Sequence, residues 1–213
     1  MDVFMSGGTG YLGRALAERL VARGHSVRIL VRAGSMGKVP SGARAVLGDA
    51  LDGATFASGV RAGGTFVQLT GVAHPAPWKE REFRAVDLVS ARESAAVAKA
   101  AGVRHFVYVS VAQPAPVMRT YQKVRRECED MLTAAGLTAT ILRPWYVVGP
   151  GHRWAEALRP AYAVFEKIPA TRETALRLGL VTLEQMAGAL LWAVEHPPET
   201  TRVLDVPGIR GVA

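Results

Sequence analysis

The chain of 213 residues is long enough for one domain with a full hydrophobic core, and its 49% apolar and 21% charged residues are typical of a globular protein. It has no run of 18 apolar residues and a single cysteine, Cys128, and no secretory leader is visible in it, so we expect a cytoplasmic protein with no membrane partner and no internal disulfide. The net charge of +8 would suit a nucleic-acid binder, but the 26 lysines and arginines are spread along the chain, so we expect an anionic small molecule and no nucleic acid.

Strands and helices alternate along the chain. Short apolar runs predict strands at 2–5, 26–32, 43–49, 64–70, 103–110, 138–143 and 201–206. Helical spacing predicts helices after the first strand and at 81–101, 118–135, 153–166 and 182–196, with a break or kink at Pro160. This alternation predicts an α/β fold with a doubly wound, mostly parallel sheet of about seven strands. No linker is visible, so we expect one domain over 1–213, with a small substrate-side annex at 145–180.

A glycine-rich turn, GGTGYLG at 7–13, joins the first predicted strand to the first helix. It fits two overlapping patterns of three glycines, which permit a tight turn, close approach of a pyrophosphate and close packing of helix on strand. Helix N–H groups and the helix dipole then attract phosphate, so the turn predicts dinucleotide binding. The alternative is a glycine-rich turn without a ligand. The predicted cofactor-binding residues here are Gly7, Thr9, Gly10, Tyr11, Leu12 and Gly13.

The end of the second strand indicates which dinucleotide binds. NAD sites usually place a carboxylate there, whereas this chain has Arg32, followed by Lys38 in the next loop. Arginine attracts a 2′-phosphate, so we expect NADP in preference to NAD, unless Arg32 is only a solvated strand end. Asp49 ends the third strand. We expect its carboxylate to bind the adenine amino group; the alternative is that it is only a turn residue. Further predicted cofactor contacts stand at or after strand ends: Leu51, Thr70, Gly71, Pro144, Tyr146 and Val147.

Four segments resemble the short-chain dehydrogenase/reductase superfamily, in particular its extended and atypical branches, which include epimerase/dehydratase-like, NmrA-like and flavin-reductase-like proteins. They are GGTGYLGR at 7–14, GDALD at 48–52, VRHFVYVSV at 103–111 and AAGLTATILRPWYVVGPG at 134–151. The resemblance implies a Rossmann fold and an NAD(P) cofactor. Helices 81–101 and 118–135 often form dimer faces in relatives, which makes a homodimer an expectation here.

The resemblance also implies catalytic residues. In the superfamily a tyrosine exchanges the proton, a lysine four residues later lowers its pKa, and a serine on the preceding strand orients the carbonyl. By position these are Tyr121 and Ser110, but Arg125 stands at the lysine position. Lys123 is two residues from Tyr121 and therefore points to another face of the helix. Arg125 shares the face of Tyr121, and its permanent charge is expected to lower the phenol pKa, although it cannot release a proton.

Three interpretations of YQKVR (121–125) stay open. Tyr121 and Arg125 form an altered but active pair; or hydride moves without this tyrosine, as in flavin-reductase-like relatives; or Tyr121 is a core residue and the protein only senses a nucleotide, as NmrA-like proteins do. The main expectation is reduction of a small carbonyl or related acceptor with hydride from NADPH. A nucleotide-sensing or partner-binding module, and an epimerase/dehydratase-like enzyme, are the alternatives.

Aromatic residues follow several predicted strands. Trp78, Trp145 and Trp154 fall in segments that form the ligand crevice of an open α/β sheet, and Tyr146 adjoins Trp145. They suggest an apolar or aromatic small-molecule substrate, or else a small C-terminal core. His74 is the histidine considered for proton transfer, with a surface role as its alternative. The histidines show no metal-ligand spacing, so no metal is expected.

Overall fold

Seven parallel strands form one sheet in the computed structural model, which describes residues 1–150 and 168–213. Their order is β3-β2-β1-β4-β5-β6-β9, and β7 and β8 pair in parallel in a separate small sheet. This confirms the predicted doubly wound α/β fold. The strands are β1 (Asp2–Ser6), β2 (Ser26–Val31), β3 (Arg44–Leu47), β4 (Thr65–Gln68), β5 (His105–Val109), β6 (Ala139–Leu142), β7 (Tyr146–Val148), β8 (Leu180–Thr182) and β9 (Arg202–Leu204).

Helices cover both faces of the sheet. They are α1 (Tyr11–Ala22), α2 (Glu80–Glu82), α3 (Val89–Ala100), α4 (Arg119–Ala134), α5 (Pro169–Arg177), α6 (Leu183–Glu195) and α7 (Val206–Val212), with a π-helical stretch (Phe83–Leu88) between α2 and α3. Among the described helices, none combines the length and apolar character that crossing a bilayer requires.

Two hydrophobic cores lie on opposite faces of the sheet because successive strand residues point to opposite sides. Val3 and Met5 of β1 belong to the core that contains α1, α6 and α7, while Phe4 belongs to the core that contains α3 and α4. In β4, Phe66 and Val67 divide between the two cores in the same way. This double coverage explains why the central strands are mostly apolar, and it leaves the carboxyl ends of the strands as the edge where loops gather.

The structure departs from the predicted elements in several places, and β7, β8 and α5 are not among the elements that the sequence predicts. The predicted helix 81–101 is interrupted by the π-helical stretch. The segment after β2, predicted as a loop, contains a 3₁₀ helix at Ala33–Lys38, and α7 follows the last strand without having been predicted. A 3₁₀ turn follows Asp52, and the Asp52 carboxylate caps it by accepting from the Ala54 N–H at 3.1 Å. The predicted helix 153–166, including Trp154 and Pro160, lies outside the described residues.

Candidate functional site

The glycine-rich turn places the start of α1 at the carboxyl end of β1. Gly7 has a φ of +74°, and a Cβ atom there would lie 2.7 Å from the Leu69 carbonyl carbon, so no other residue fits. Gly10 caps α1 and donates its N–H to the Gly7 carbonyl at 3.0 Å. A Cβ on Gly13 would overlap the backbone of Gly7 and Gly8. The first turn of α1 holds no acidic residue, so the positive helix end is available to a phosphate.

A cleft of about 380 Å³ lies beside this turn, along the ends of β1 to β4. Eight of the predicted cofactor-binding residues line it: Gly7, Thr9, Gly10, Arg32, Asp49, Leu51, Thr70 and Gly71. The other predicted residues do not line this cleft. Tyr11, Leu12 and Gly13 belong to the first turn of α1, and Pro144, Tyr146 and Val147 follow β6. Their assignment to the cofactor stays a prediction.

The adenosine end of the cleft, as the sequence predicts it, is bounded by the segments after β2 and β3. Arg32 is exposed and precedes the 3₁₀ helix, and its carbonyl accepts from the Ser35 N–H at 2.8 Å. No ion pair involves Arg32 in residues 1–150 and 168–213, so within that part of the chain its charge is available to a ligand. The Asp49 carboxylate accepts from the Leu51 N–H at 3.0 Å, which fixes the turn after β3.

Gln68 is a site residue that sequence reasoning missed. It is 1% exposed at the end of β4, accepts from the Ser6 hydroxyl and from the Thr70 N–H at 2.8 Å, and donates to Ser90 Oγ at 3.0 Å. These bonds tie the ends of β1 and β4 together beneath the cleft. A glutamine at the end of the strand TFVQ, beside two apolar residues, was the signal that could have revealed it.

Tyr121 and Arg125 come together, as their spacing predicts. The guanidinium carbon of Arg125 lies 5.0 Å from the centre of the Tyr121 ring, whose other neighbour is Phe83 at 4.8 Å between ring centres. Arg125 is 7% exposed and forms an ion pair with Asp87, with 2.6 Å between Nη2 and Oδ1. Asp87 is completely buried and was not foreseen. A lone aspartate in a helix normally indicates a solvated face.

The Tyr121 pKa is raised, not lowered as expected, because the effect of burial outweighs the effect of Arg125. Burial raises the pKa of the Tyr121 phenol above its usual value; Arg125 opposes this rise, whereas the Asp87 carboxylate adds to it. Burial also raises the pKa of Asp87, with Arg125 acting against that rise. The charge of Arg125 is therefore shared with a carboxylate, and Tyr121 remains a neutral phenol over a wide pH range.

Ser110 is engaged by a second buried carboxylate. Its hydroxyl donates to Glu129, which also accepts from Gln113 Nε2 at 3.0 Å and forms a bidentate ion pair with Arg143. Ser110 and Glu129 are 4% and 5% exposed. The hydroxyl proton of Ser110 is thus already donated to Glu129, and the hydroxyl oxygen can only accept a hydrogen bond from a ligand. The catalytic roles of Ser110, Tyr121 and Arg125 stay predictions.

The predicted substrate-side aromatic residues are only partly brought together. Trp145 and Tyr146 contact each other edge to face, with ring centres 5.3 Å apart. Trp78 is 83% exposed, and His74 is also exposed in the loop after β4. Trp154 lies outside the described residues. Within residues 1–150 and 168–213, no cluster of histidine, cysteine, aspartate and glutamate side chains has the arrangement of a metal site.

Comparison with known proteins identifies the family. A family model described as NAD(P)H-binding matches residues 7–164, which include the glycine-rich turn, the cleft and the Tyr121 region. The chain belongs to this NAD(P)H-binding family. The family match agrees with the sequence resemblance to the short-chain dehydrogenase/reductase superfamily, with a member of which the chain shares its fold, and the cofactor of the chain is a nicotinamide dinucleotide.

Two curated relatives of this NAD(P)H-binding protein are reductases. The ceramide reductase of Caulobacter vibrioides (strain NA1000 / CB15N) is 30% identical over 196 residues, 89% of this chain and 59% of the relative. The 4-hydroxy-2-methyl-3-oxo-4-farnesyl-3,4-dihydroquinoline-1-oxide ketoreductase of Stigmatella aurantiaca is 29% identical over 171 residues, 70% of this chain and 51% of the relative. The chain thus spans just over half the length of these two proteins.

The NAD(P)H-binding fold is also shared with solved structures. The UDP-glucose 4-epimerase of Thermus thermophilus in complex with NAD superposes with a TM-score of 0.71 at 19% identity. The match covers 100% of this chain and 81% of that chain. At this identity the likeness establishes the fold and leaves the chemistry to be argued from the site.

Proposed function

We propose that the protein is an NADP-preferring reductase that transfers hydride to a small carbonyl or related acceptor. The observation that carries the proposal is the relation between the cleft and the predicted catalytic pair. Gly71 lines the cleft, and a Cβ on Gly71 would lie 2.6 Å from Arg125 Nη2. The Tyr121–Arg125 pair therefore stands against the end of the cleft opposite Arg32 and Asp49, where a dinucleotide bound at the glycine-rich turn would extend its nicotinamide.

The residues have separate roles in this proposal. A bound nicotinamide dinucleotide supplies the hydride. Tyr121 donates the proton that the acceptor oxygen takes up. Burial raises its pKa, which keeps the phenol protonated at neutral pH but also makes it a weaker acid. Arg125 packs against the Tyr121 ring and against the backbone of Gly71, which lines the cleft. Ser110 is held by Glu129, so its oxygen can accept from an N–H or O–H group of the substrate but has no proton to donate to the acceptor carbonyl.

An apolar or aromatic acceptor is the proposed substrate class. Trp145 and Tyr146 follow β6 at the carboxyl edge of the sheet, the usual side for a ligand in an open α/β fold. The names of the two reductase relatives denote a ceramide and a farnesyl-bearing quinoline, both with long apolar groups. These names support reductase activity and a lipophilic acceptor for this chain.

Replacing Tyr121 by phenylalanine tests the reductase proposal. The Tyr121→Phe variant keeps the ring contact with Phe83 but loses the proton donor, so we expect NADPH oxidation with a responsive carbonyl acceptor to fall about 100-fold or more. Assays under identical conditions on Thr200→Ala, at an exposed position before β9, serve as the control. Undiminished turnover by Tyr121→Phe would remove this residue from the chemistry.

Replacing Arg32 tests the preference for NADP. Loss of a charge-assisted bond to the 2′-phosphate costs about 1.5–3 kcal/mol, so Arg32→Ala should weaken NADPH binding about 10- to 100-fold and NADH binding little. Fluorescence titration of both coenzymes measures this difference. Arg92→Ala removes an exposed arginine of α3 and is the matched control. An equal loss for both coenzymes would contradict the assignment of Arg32.

A nucleotide-sensing module is the second candidate. The observation that favours it is the engagement of both predicted catalytic groups by buried carboxylates, Arg125 by Asp87 and Ser110 by Glu129. In this case the chain binds NADPH with the same Arg32 dependence but reduces none of a panel of lipophilic ketones, and Tyr121→Phe changes no activity. Coenzyme titration together with the turnover assay separates the two candidates.

A further inference from the structure

Asp87 joins two parts of the site, the loop that follows β4 and the Tyr121–Arg125 pair. It lies in the π-helical stretch Phe83–Leu88, an irregularity that often occurs at functional sites. Its Oδ2 atom accepts from the Val72 N–H at 3.2 Å, in the loop that follows β4. Its Oδ1 atom lies 2.6 Å from Arg125 Nη2 on α4. One fully buried carboxylate thus connects the cleft loop to the arginine beside Tyr121.

Gly71 shows how close this ion pair is to the cleft. A Cβ atom on Gly71 would lie 2.6 Å from Arg125 Nη2 and 2.8 Å from Asp87 Oδ1. The backbone of Gly71, which lines the cleft, therefore rests directly on the ion pair. The absence of a side chain at this position leaves the space that the pair occupies.

Among the residues that the structure describes, the contacts of Arg125 leave its charge with one acidic counter-ion. Nη1 donates to the Tyr108 hydroxyl and to the Val109 carbonyl, each at 3.0 Å. Both of these acceptors are neutral, so Asp87 is the group that balances the guanidinium charge. In a buried site a full counter-charge 2.6 Å away strongly reduces the effect of that guanidinium on a neighbouring phenol.

We propose that Asp87 is a positioning residue of the site: it anchors the Arg125 guanidinium beneath Gly71 and balances its charge, so that Tyr121 is kept as a neutral proton donor. The catalytic part of this inference rests on the proposed function, whereas the placement of the charges does not. The titratable groups that act on Tyr121 are Arg125, Asp87 and Cys128. Arg125 favours the phenolate, while burial, Asp87 and Cys128 favour the phenol.

Asp87→Asn tests the inference because it keeps the shape of the side chain and removes its charge. The titration of Tyr121 is followed by tyrosinate absorbance in a Tyr108→Phe background, which removes the other phenol in contact with Arg125. Subtracting the curve of the same protein carrying Tyr121→Phe isolates the Tyr121 signal. We expect Asp87→Asn to lower the Tyr121 pKa by about one unit or more, a tenfold change in its ionisation equilibrium. An unchanged Tyr121 titration overturns the proposal.

The pH dependence of the reduction rate provides a second test. It would not change if Asp87 only stabilised the fold. In Asp87→Asn the alkaline limb of the reduction rate should shift to lower pH, because Tyr121 loses its proton sooner. Asp87→Glu restores the carboxylate and should return the limb towards that of the unmodified protein. Asp130→Asn removes an exposed carboxylate from α4 and should leave it unchanged. If both variants of Asp87 had a lower melting temperature but an unchanged alkaline limb, Asp87 would have only a structural role.

The unmodified Asp87 supplies a test that does not depend on the folding of a variant at that position. In the Tyr108→Phe background, Tyr121 should titrate above the ordinary tyrosine value of about 10. A Tyr121 that ionises below this value overturns the inference. The absorbance titration needs no substrate, so a shifted titration without any detectable acceptor reduction would refute the proposed reductase function and leave the placement by Asp87 standing.

Discussion

Buried carboxylates organise the site at the scale of single residues. Glu129 is the clearest case, because Ser110, Gln113 and Arg143 all donate to it while it is only 5% exposed. A charge buried in this way depends on all its partners, since water cannot replace a donor that is lost. The carboxylate therefore fixes the serine and also joins α4 to the segments that follow β5 and β6.

Glu129→Gln should destabilise the protein without changing its shape. The change leaves Arg143, with a 28% exposed side chain, without its counter-ion, so we expect the free energy of unfolding to fall by about 2–3 kcal/mol. Urea denaturation measures this loss. Glu127→Gln, two residues away, breaks an exposed ion pair with Arg84 and should change stability by less than about 0.5 kcal/mol. Equal effects of the two substitutions would contradict the special role of Glu129.

The residues found from sequence and those missed differ in a physical way. Gly7, Gly10 and Arg32 stand at fixed positions relative to a strand–turn–helix unit, so local geometry alone places them at the cleft. Asp87 owes its role to tertiary burial, which no local pattern encodes. Glu129 did carry a signal, because it follows Arg125 by four residues and Tyr121 by eight on the same helical face.

Helix ends show what sequence predicts well at the scale of elements. The segment TLEQ predicts a helix start at 182, and α6 begins at Leu183 with a complete capping box. Thr182 Oγ1 accepts from the Gln185 N–H at 3.1 Å, and Gln185 Oε1 accepts from the Thr182 N–H at 3.0 Å. This helix packs against α1, whose amino end forms the phosphate-binding turn of the proposed site.

Thr182→Ala should weaken the start of α6. Removal of the capping hydroxyl leaves the Gln185 N–H without its acceptor, and we expect a loss of about 1 kcal/mol in the free energy of unfolding. Thermal unfolding of the two variants Thr182→Ala and Thr200→Ala is compared, and the difference measures the contribution of the cap. Thr200 is at an exposed position that precedes β9. A loss no larger than that of Thr200→Ala would mean that the cap contributes nothing to stability.

The π-helical stretch is an element that the sequence could not predict. Apolar residues between 81 and 101 recur at helical spacing, and this pattern indicates one continuous helix. A change in the hydrogen-bond register of the backbone leaves no trace in composition, because it depends on what packs against the helix. Here Phe83 packs on Tyr121 and Asp87 pairs with Arg125, so contacts with α4 accompany the irregular stretch.

At the scale of the whole molecule, the alternation of strands and helices predicted the architecture from the chain alone. Each crossover returns the chain to the same edge, so the loops after β1 to β4 meet around one cleft. The cost of this arrangement is that polar groups within the central strands are buried on both faces. His105, the first residue of β5, is one of these groups.

His105 links the stability of the molecule to pH. It is 1% exposed, with Nε2 at 3.0 Å from Thr140 Oγ1, and burial followed by the nearby Arg202 and Arg104 lowers its pKa to about 4. An unfolded histidine titrates near 6.5, so between these two values the unfolded chain binds a proton that the folded chain does not. The contribution of His105 to stability is therefore complete above pH 6.5 and is lost as the pH falls towards 4.

Replacing His105 by glutamine removes this titration and keeps a polar side chain beside Thr140. Between pH 7 and pH 5 the unmodified protein should lose about 2 kcal/mol more of its free energy of unfolding than His105→Gln loses, since carboxylates contribute equally in both. Urea denaturation at the two pH values gives the comparison, and His74→Gln, at an exposed position, should behave like the unmodified chain. If His105→Gln lost as much stability on acidification as the unmodified protein, the histidine would have to be protonated within the folded state, and the buried end of β5 would have to admit water.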